Sequence, residues 1–329
     1  MSTTRRVDPF LILDAHNDSL ILRQSRDDPM DLADVDPIYQ VDLPRLRKGG
    51  MSCLFCMVGD NNLRQSGILI DAAHEMCRAH ADDFRLCRTA SEVRAAYADG
   101  KIAVVLTIEG QRMFDERLEH LRNGHRLGVR VASITHGGGR RPELQYDPSY
   151  FGYISPQERE NLRRQSKGLT PFARETLAEM ARLKIAVDVA HINDAAFWEV
   201  MDIAECPVCY THGCCYALCP HSRGLTDEMM KALAEKGGVM GLAFYRNFID
   251  REHPSLDRLC DHFVHALEVM GPDHVGIGSD FDGTSRQLRP IPEDVSQLEV
   301  LFEALAKRDV DEEILRKIAG ENFLRMLEA

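Results

Sequence analysis

Long apolar runs are missing from this 329-residue chain. The longest are strand-sized, so nothing in it is expected to span a bilayer. An excess of basic residues is missing too: the formal net charge is −12, and the lysines and arginines are scattered. That argues against a nucleic-acid or anionic-membrane partner. No apolar segment of signal-peptide type follows Arg5-Arg6, only the strand-like Leu11-Ile12-Leu13, and no signal peptide is expected. No Gly-x-Gly-x-x-Gly follows the first strand, which argues against a dinucleotide-binding domain. No Pro/Ser-rich linker, low-complexity tract or composition break divides the sequence, and residues 1–329 read as one domain.

What the chain does have is ten cysteines and 44% apolar residues. The cysteines show no spacing of a small disulfide scaffold. Two Cys-x-x-Cys pairs, Cys53/Cys56 and Cys206/Cys209, lie in strand-like runs. Residues three apart on a strand point to opposite faces, so neither pair can chelate one ion. Free thiols in a reducing cytoplasm are the simpler expectation.

Short apolar or β-branched runs alternate with longer amphipathic stretches. The expected strands are Phe10–His16, Met51–Val58, Ile102–Ile108, Val129–Thr135, Ile185–Ala190, Val208–Thr211, Gly238–Phe244 and His274–Gly278. Expected helices are Gly67–Cys87, Asp115–Leu127, Pro171–Leu183, Asp194–Asp202, Thr226–Glu235, Leu256–Met270 and Val295–Ala306. Eight strands, each followed by a crossover, predict an α/β fold, a single-domain (β/α)₈ TIM barrel. The long irregular segment 137–168 is expected to be an active-site loop.

Several of these strands end in a residue able to bind metal. The first ends in His16-Asn17-Asp18, the third in Glu109, the fourth in His136, the fifth in His191 and the sixth in His212, while the eighth runs into Asp280. In a barrel these ends converge on one face. Each also has a plainer explanation. His16 and Asp18 leave the same face of a strand, but that pattern is common. Glu109 is costly to bury without a cation or hydrogen bonds, yet could cap a turn. His191 or His212 alone could be a core histidine. The joint pattern is what the plainer explanations miss. The histidines at 74, 80, 120, 125, 253, 262 and 265 lie in or beside helices and are expected to be solvated, and His221 and His274 are expected to be structural. Imidazole and carboxylate without thiolate suit Zn²⁺ or a similar ion. Three histidines with two carboxylates exceed one tetrahedral catalytic zinc, and fit two ions sharing a bridging carboxylate.

The segments LDAHNDSL, TIEG, LGVRVASITH, KGLTPFARETLAEMARLKIAVDVAH, PVCYTHGCCYALCPHSRGLTDEMM, HVGIGSDFDG and GENFLRML resemble, in order, the membrane (renal) dipeptidase family within the amidohydrolase-type barrels. They cover the chain from about residue 11 to the C-terminus. The resemblance implies a dipeptidase with two Zn²⁺ ions, cleaving the peptide bond with metal-bound hydroxide. His16 and Asp18 would hold one ion, His191 and His212 the other, and Glu109 would bridge them. His136 would donate to the oxyanion. Asp280 would shuttle the proton, with Asp282 as its rival. Arg223 would grip the substrate's terminal carboxylate, although by residue type alone it could be a surface arginine. The resemblance also implies a homodimer. The sequence departs from the family after His136, where Gly137-Gly138-Gly139 stands in place of the usual Asn, and the loop beyond carries Tyr146, Tyr150, Phe151 and Tyr153. That loop keeps a second expectation open, an amidohydrolase for N-acyl amino acids or another small amide. A barrel that only binds or scaffolds is a third, disfavoured because every matched ligand position keeps a competent residue.

Overall fold

The computed structural model describes residues 10–59, 62–110, 115–136, 145–146, 151–283 and 289–328. Eight strands form a closed parallel barrel: β1 (Ile12–Asn17), β2 (Met51–Met57), β3 (Ile102–Ile108), β4 (Val129–Ser133), β5 (Ala186–Asp188), β6 (Val208–Cys215), β7 (Val239–Leu242) and β8 (Val275–Ile277). Neighbours pair in order, β8 returns to β1 through Asp14↔Ile277, and Val187↔Val208 joins β5 to β6. The (β/α)₈ expectation holds.

The strands read as nearly unbroken apolar runs because both of their faces are covered. Alternate residues fall into separate apolar clusters. Leu13, Ala15, Cys53, Phe55, Ala103 and Val105 belong to one, which also holds Phe323 of the C-terminal helix Asn322–Glu328. Ile12, Leu54, Cys56, Val104 and Leu106 belong to the other, among the surrounding helices. Cys53 and Cys56 thus face opposite ways, as do Cys206 and Cys209, so neither pair turns both sulfurs to one point. Among the described residues no helix is long and apolar enough to cross a membrane.

Helices Pro171–Leu183 and Leu256–Met270 have the expected bounds, with Thr170 and Ser255 accepting the amides of Ala173 and Arg258 as N-caps. Two expectations need correction. The stretch Gly67–Cys87 is a helix, Leu63–Ala79, followed by a short strand, Phe84–Leu86, beside β3. Within 137–168, the helix Pro156–Gln165 stands where irregular chain was expected, opened by a capping box in which Ser155 and Glu158 bond reciprocally. Residues 137–144 and 147–150 of that loop lie outside the described residues.

Two strands are bulged next to their histidines. Asp14 pairs with Leu54 and Asn17 with Cys56, so three steps on β1 match two on β2. Tyr210 pairs with Met240 and Gly213 with Leu242, so three steps on β6 match two on β7. A bulge re-aims the side chain it carries, here His16 and His212. The β6 bulge brings the carbonyl of Thr211 inward against Gly241, where an added Cβ would stand 2.0 Å from the oxygen. Gly241→Ala is therefore expected to destabilise the fold by about 1–3 kcal/mol, the usual cost of overpacking, as read by chemical denaturation. Unchanged stability would mean the bulge relaxes freely.

Candidate metal centre

The expected ligands meet at the C-terminal end of the barrel. Glu109 follows β3 and is 3% exposed. Its two carboxylate oxygens face different histidines. Oε2 lies 3.6 Å from His16 Nε2, while Oε1 lies 2.8 Å from His191 Nε2 and 3.3 Å from His212 Nε2. His16 Nε2 is also 3.6 Å from Asp18 Oδ2. Ligand atoms of His16, Asp18 and Glu109 lie within 4.8 Å of one another, as do those of Glu109, His136 and His191 and those of His16, His212 and Asp280.

Backbone strain marks the same place. His191, Asp280 and Asp282 adopt left-handed φ values of 63°, 62° and 64°, a region costly for residues with a Cβ and concentrated at functional sites. The ends of β1 and β8 are laced together: Asp18 N donates to Phe281 O, Asp280 N donates to His16 O, and Ser279 donates from both N and Oγ to the buried Asp14. This lacing carries Asp280 to His16 and Asp18. Asp282 is engaged elsewhere, its Oδ1 accepting the amide of Gln40 and its own amide donating to Gln40 Oε1.

A relay behind His212 presents Nε2 as the free nitrogen. Thr211 Oγ1 donates its one proton to Asp188 Oδ2 at 2.6 Å, so at 3.0 Å from His212 Nδ1 it can only accept. Nδ1 then carries the ring proton, leaving the Nε2 lone pair for a metal.

The electrostatics divide the site in two. Burial disfavours charge on His16, but the Glu109 and Asp18 carboxylates outweigh it and push the imidazole up to about 10. His191 and His212 are held far below the ordinary histidine range, first by burial and then by Arg223 and His16 respectively. They are neutral, as ligands must be. Burial opposes charge on Glu109, yet the surrounding imidazoles hold it well below the usual carboxylate range. Burial, reinforced by Asp18 and Glu109, pushes Asp280 up to about 7. Three buried atoms, His16 Nε2, Asp18 Oδ1 and Glu109 Oε1, make no hydrogen bond. Orphaned donors of N/O type around a shared carboxylate fit divalent cations, which would satisfy all three.

The centre forms the floor of a cavity of about 470 Å³. Arg223, 7% exposed and not at the surface, reaches it from the chain after β6. Its Nη1 lies 2.7 Å from His191 Nε2, and its Nη2 lies 3.0 Å from His212 Nε2. Tyr210 Oη donates to the Arg223 carbonyl, and the buried Arg159 donates to Gly224 O at 2.7 Å while paired with Asp194. His136 stands on the wall, a third exposed, edge-on to His191.

Sequence reasoning did not single out Thr211, Asp188, Asp14 or Ser279, nor the wall residues Tyr245 and Phe248. Polar residues inside otherwise apolar strands were the available signal for the first three, and Ser279 stands just past β8. One expectation fails outright: His262 is buried, its Nδ1 accepting the amide of Cys215 and its Nε2 facing Ile249 O. Two backbone groups, one at the end of β6 and one at the end of the short helix Arg246–Ile249, claim that ring.

A (β/α)₈ barrel with buried imidazoles and carboxylates converging at its C-terminal face defines a metal-dependent hydrolase. The chain belongs to the membrane dipeptidase family (peptidase family M19), whose model matches residues 4–329. It is 31% identical to dipeptidase aclJ of Aspergillus oryzae, over 96% of this chain and 77% of that protein. Two solved structures share the fold across 98% of this chain. One is dipeptidase AC, a metallopeptidase, with TM-score 0.83, 29% identity and 98% of its own chain covered. The other is a Rhodobacter sphaeroides metallopeptidase liganded with a phosphinate mimic of the dipeptide L-Ala-D-Ala, with TM-score 0.82, 28% identity and 99% covered.

The relay makes a specific claim about His212. Thr211→Val should weaken divalent-metal binding by roughly 10–100-fold, the usual effect of losing a partner behind a ligand, as read by competition with a chelating indicator. Wild-type affinity in that variant would remove Thr211 from the account.

Proposed function

We propose that the protein is a binuclear zinc dipeptidase, and the observation that carries the reading is Glu109, whose two oxygens face separate imidazole sets. His16 with Asp18 would hold one ion, His191 with His212 the other, and Glu109 both. Two such ions, when bound, polarise a carbonyl and activate water at neutral pH.

The remaining groups divide the work. His136 is the most exposed of the four imidazoles around Glu109, and its N–H is suited to an oxyanion forming there. Asp280, poised near neutrality by burial, can take a proton from the attacking water and return it to the leaving nitrogen. Asp282 is anchored to Gln40 through Oδ1 and its own amide, which makes Asp280 the better-placed carrier. Arg223 supplies the carboxylate anchor. The lone pairs of His191 and His212 cannot serve a guanidinium and a metal at once, so metal loading leaves Nη1 and Nη2 for the substrate. A planar guanidinium matches a terminal carboxylate, and a ligand with a free carboxylate also agrees with the dipeptide mimic held by the Rhodobacter relative. All ten cysteines are buried free thiols, which supports a cytoplasmic setting.

The anchor can be tested directly. A charge-assisted contact of roughly 1.5–3 kcal/mol means Arg223→Met should lower kcat/KM for a dipeptide by about 10–150-fold. The C-terminal amide of the same dipeptide, already poor, should lose much less. Metal content should stay at the wild-type level. An equal loss on acid and amide would make Arg223 structural, and wild-type turnover of the amide equal to that of the acid would end the carboxylate requirement.

A further inference from the structure

The cavity wall beside Arg223 is aromatic, and the hydrolysis described above makes no use of it. The Phe248 ring centroid lies 5.5 Å from the Arg223 guanidinium carbon. Tyr245 packs edge-on to Phe248 at 5.0 Å, and Phe151 stands 6.2 Å from Phe248. All three line the cavity. His221 fills the space behind, 4.8 Å from both Phe151 and Phe248, and its Nδ1 accepts the amide of Arg223. Burial, with Arg223 nearby, pushes that imidazole down to about 4, so the backing is uncharged.

Phe248 is 1% exposed, whereas Phe151 is 60% exposed. One part of the Phe151 ring is thus packed on His221 and Phe248, and the rest is left uncovered at a cavity wall. A large uncovered aromatic gains stability from any apolar group laid against it. Position decides which group that is. The α-carboxylate and the side chain of a C-terminal residue leave the same carbon atom. A carboxylate held by Arg223 therefore brings that residue's side chain within reach of Phe248, 5.5 Å from the guanidinium carbon, and of Phe151 beyond it.

We infer that Phe151, Tyr245 and Phe248 form the subsite for the side chain of the substrate's C-terminal residue, and that dipeptides ending in an aromatic or large aliphatic residue are preferred. This rests on Arg223 as the carboxylate anchor, and it adds a side-chain class to that reading. Acidic side chains are disfavoured there. Arg223 is the one Lys or Arg among the described lining residues, and the α-carboxylate already engages it.

The test is kcat/KM on the metal-loaded enzyme for Ala-X and N-acetyl-X, with X as Gly, Ala, Leu, Phe and Asp and the last four in both configurations. In the better configuration, Phe should exceed Gly by about 10–200-fold, the discrimination an apolar pocket provides, and Asp should fall near or below Gly. Phe151→Ala, at an exposed position where folding is not at stake, should shrink the Phe/Gly ratio by roughly 5- to 10-fold. A rate indifferent to X, a preference for Asp, or an unchanged ratio in Phe151→Ala overturns the aromatic subsite while leaving the anchor intact. Turnover of N-acetyl-X with Ala-X inert ends the dipeptide reading instead, and the side-chain preference is then read from the acylated series. Inertness of both series overturns both.

Discussion

A carboxylate sealed at the top of a barrel is the constraint on which the rest of this structure depends. Glu109 is almost wholly buried, and burying an unpaired charge is prohibitive. Four imidazoles lie within 3.9 Å of its oxygens, and among them His136 and His16 hold it ionised. Neutral imidazoles cannot neutralise it, and two of the four, His191 and His212, are driven neutral by their own burial. The proposed pair of divalent cations would supply the positive charge that the arrangement calls for. The elevated His16 and the guanidinium of Arg223 against His191 and His212 express the same demand.

Meeting that demand shapes the barrel. A regular strand would send successive side chains alternately inward and outward, with no freedom to tune an angle. The bulges at His16 and His212 provide that freedom, and the Thr211 carbonyl displaced by one of them is received by Gly241 and Gly278. Left-handed backbone at His191 and Asp280 turns two further side chains over the barrel mouth. Asp14 with Ser279, and Asp188 with Thr211, then fix these turns from below. The strain sits at the face where ligands converge, and the apolar layers beneath carry the stability.

Much of this was legible in the sequence. The strands announce themselves because both faces are buried: Ile102–Ile108 is apolar but for Thr107, and its observed bounds match the expected ones. The expected ligands stand out in the sequence because each interrupts or ends such a run. Bulges leave no trace in hydrophobic periodicity, so the aim of His16 and His212 could be seen only in the fold. Helix Pro156–Gln165 escaped because its sequence, PQERENLRRQ, has no apolar stripe; the Ser155/Glu158 capping box and Pro156 at the first position were its local signals. His262 looked like a solvated helix residue because nothing local shows that Cys215 N and Ile249 O converge on it. The aromatic wall is assembled from residues 151, 245 and 248, brought together by the closure of the barrel and not by any motif.

The most direct measurement is an equilibrium titration of metal-free protein with Zn²⁺, followed by elemental analysis, on the wild type and on Glu109→Gln. A bridging carboxylate predicts two ions per chain in the wild type and a weakening of both together in the variant. Full activity with a single ion, or a variant that binds both ions as tightly as the wild type, would contradict the account at its centre.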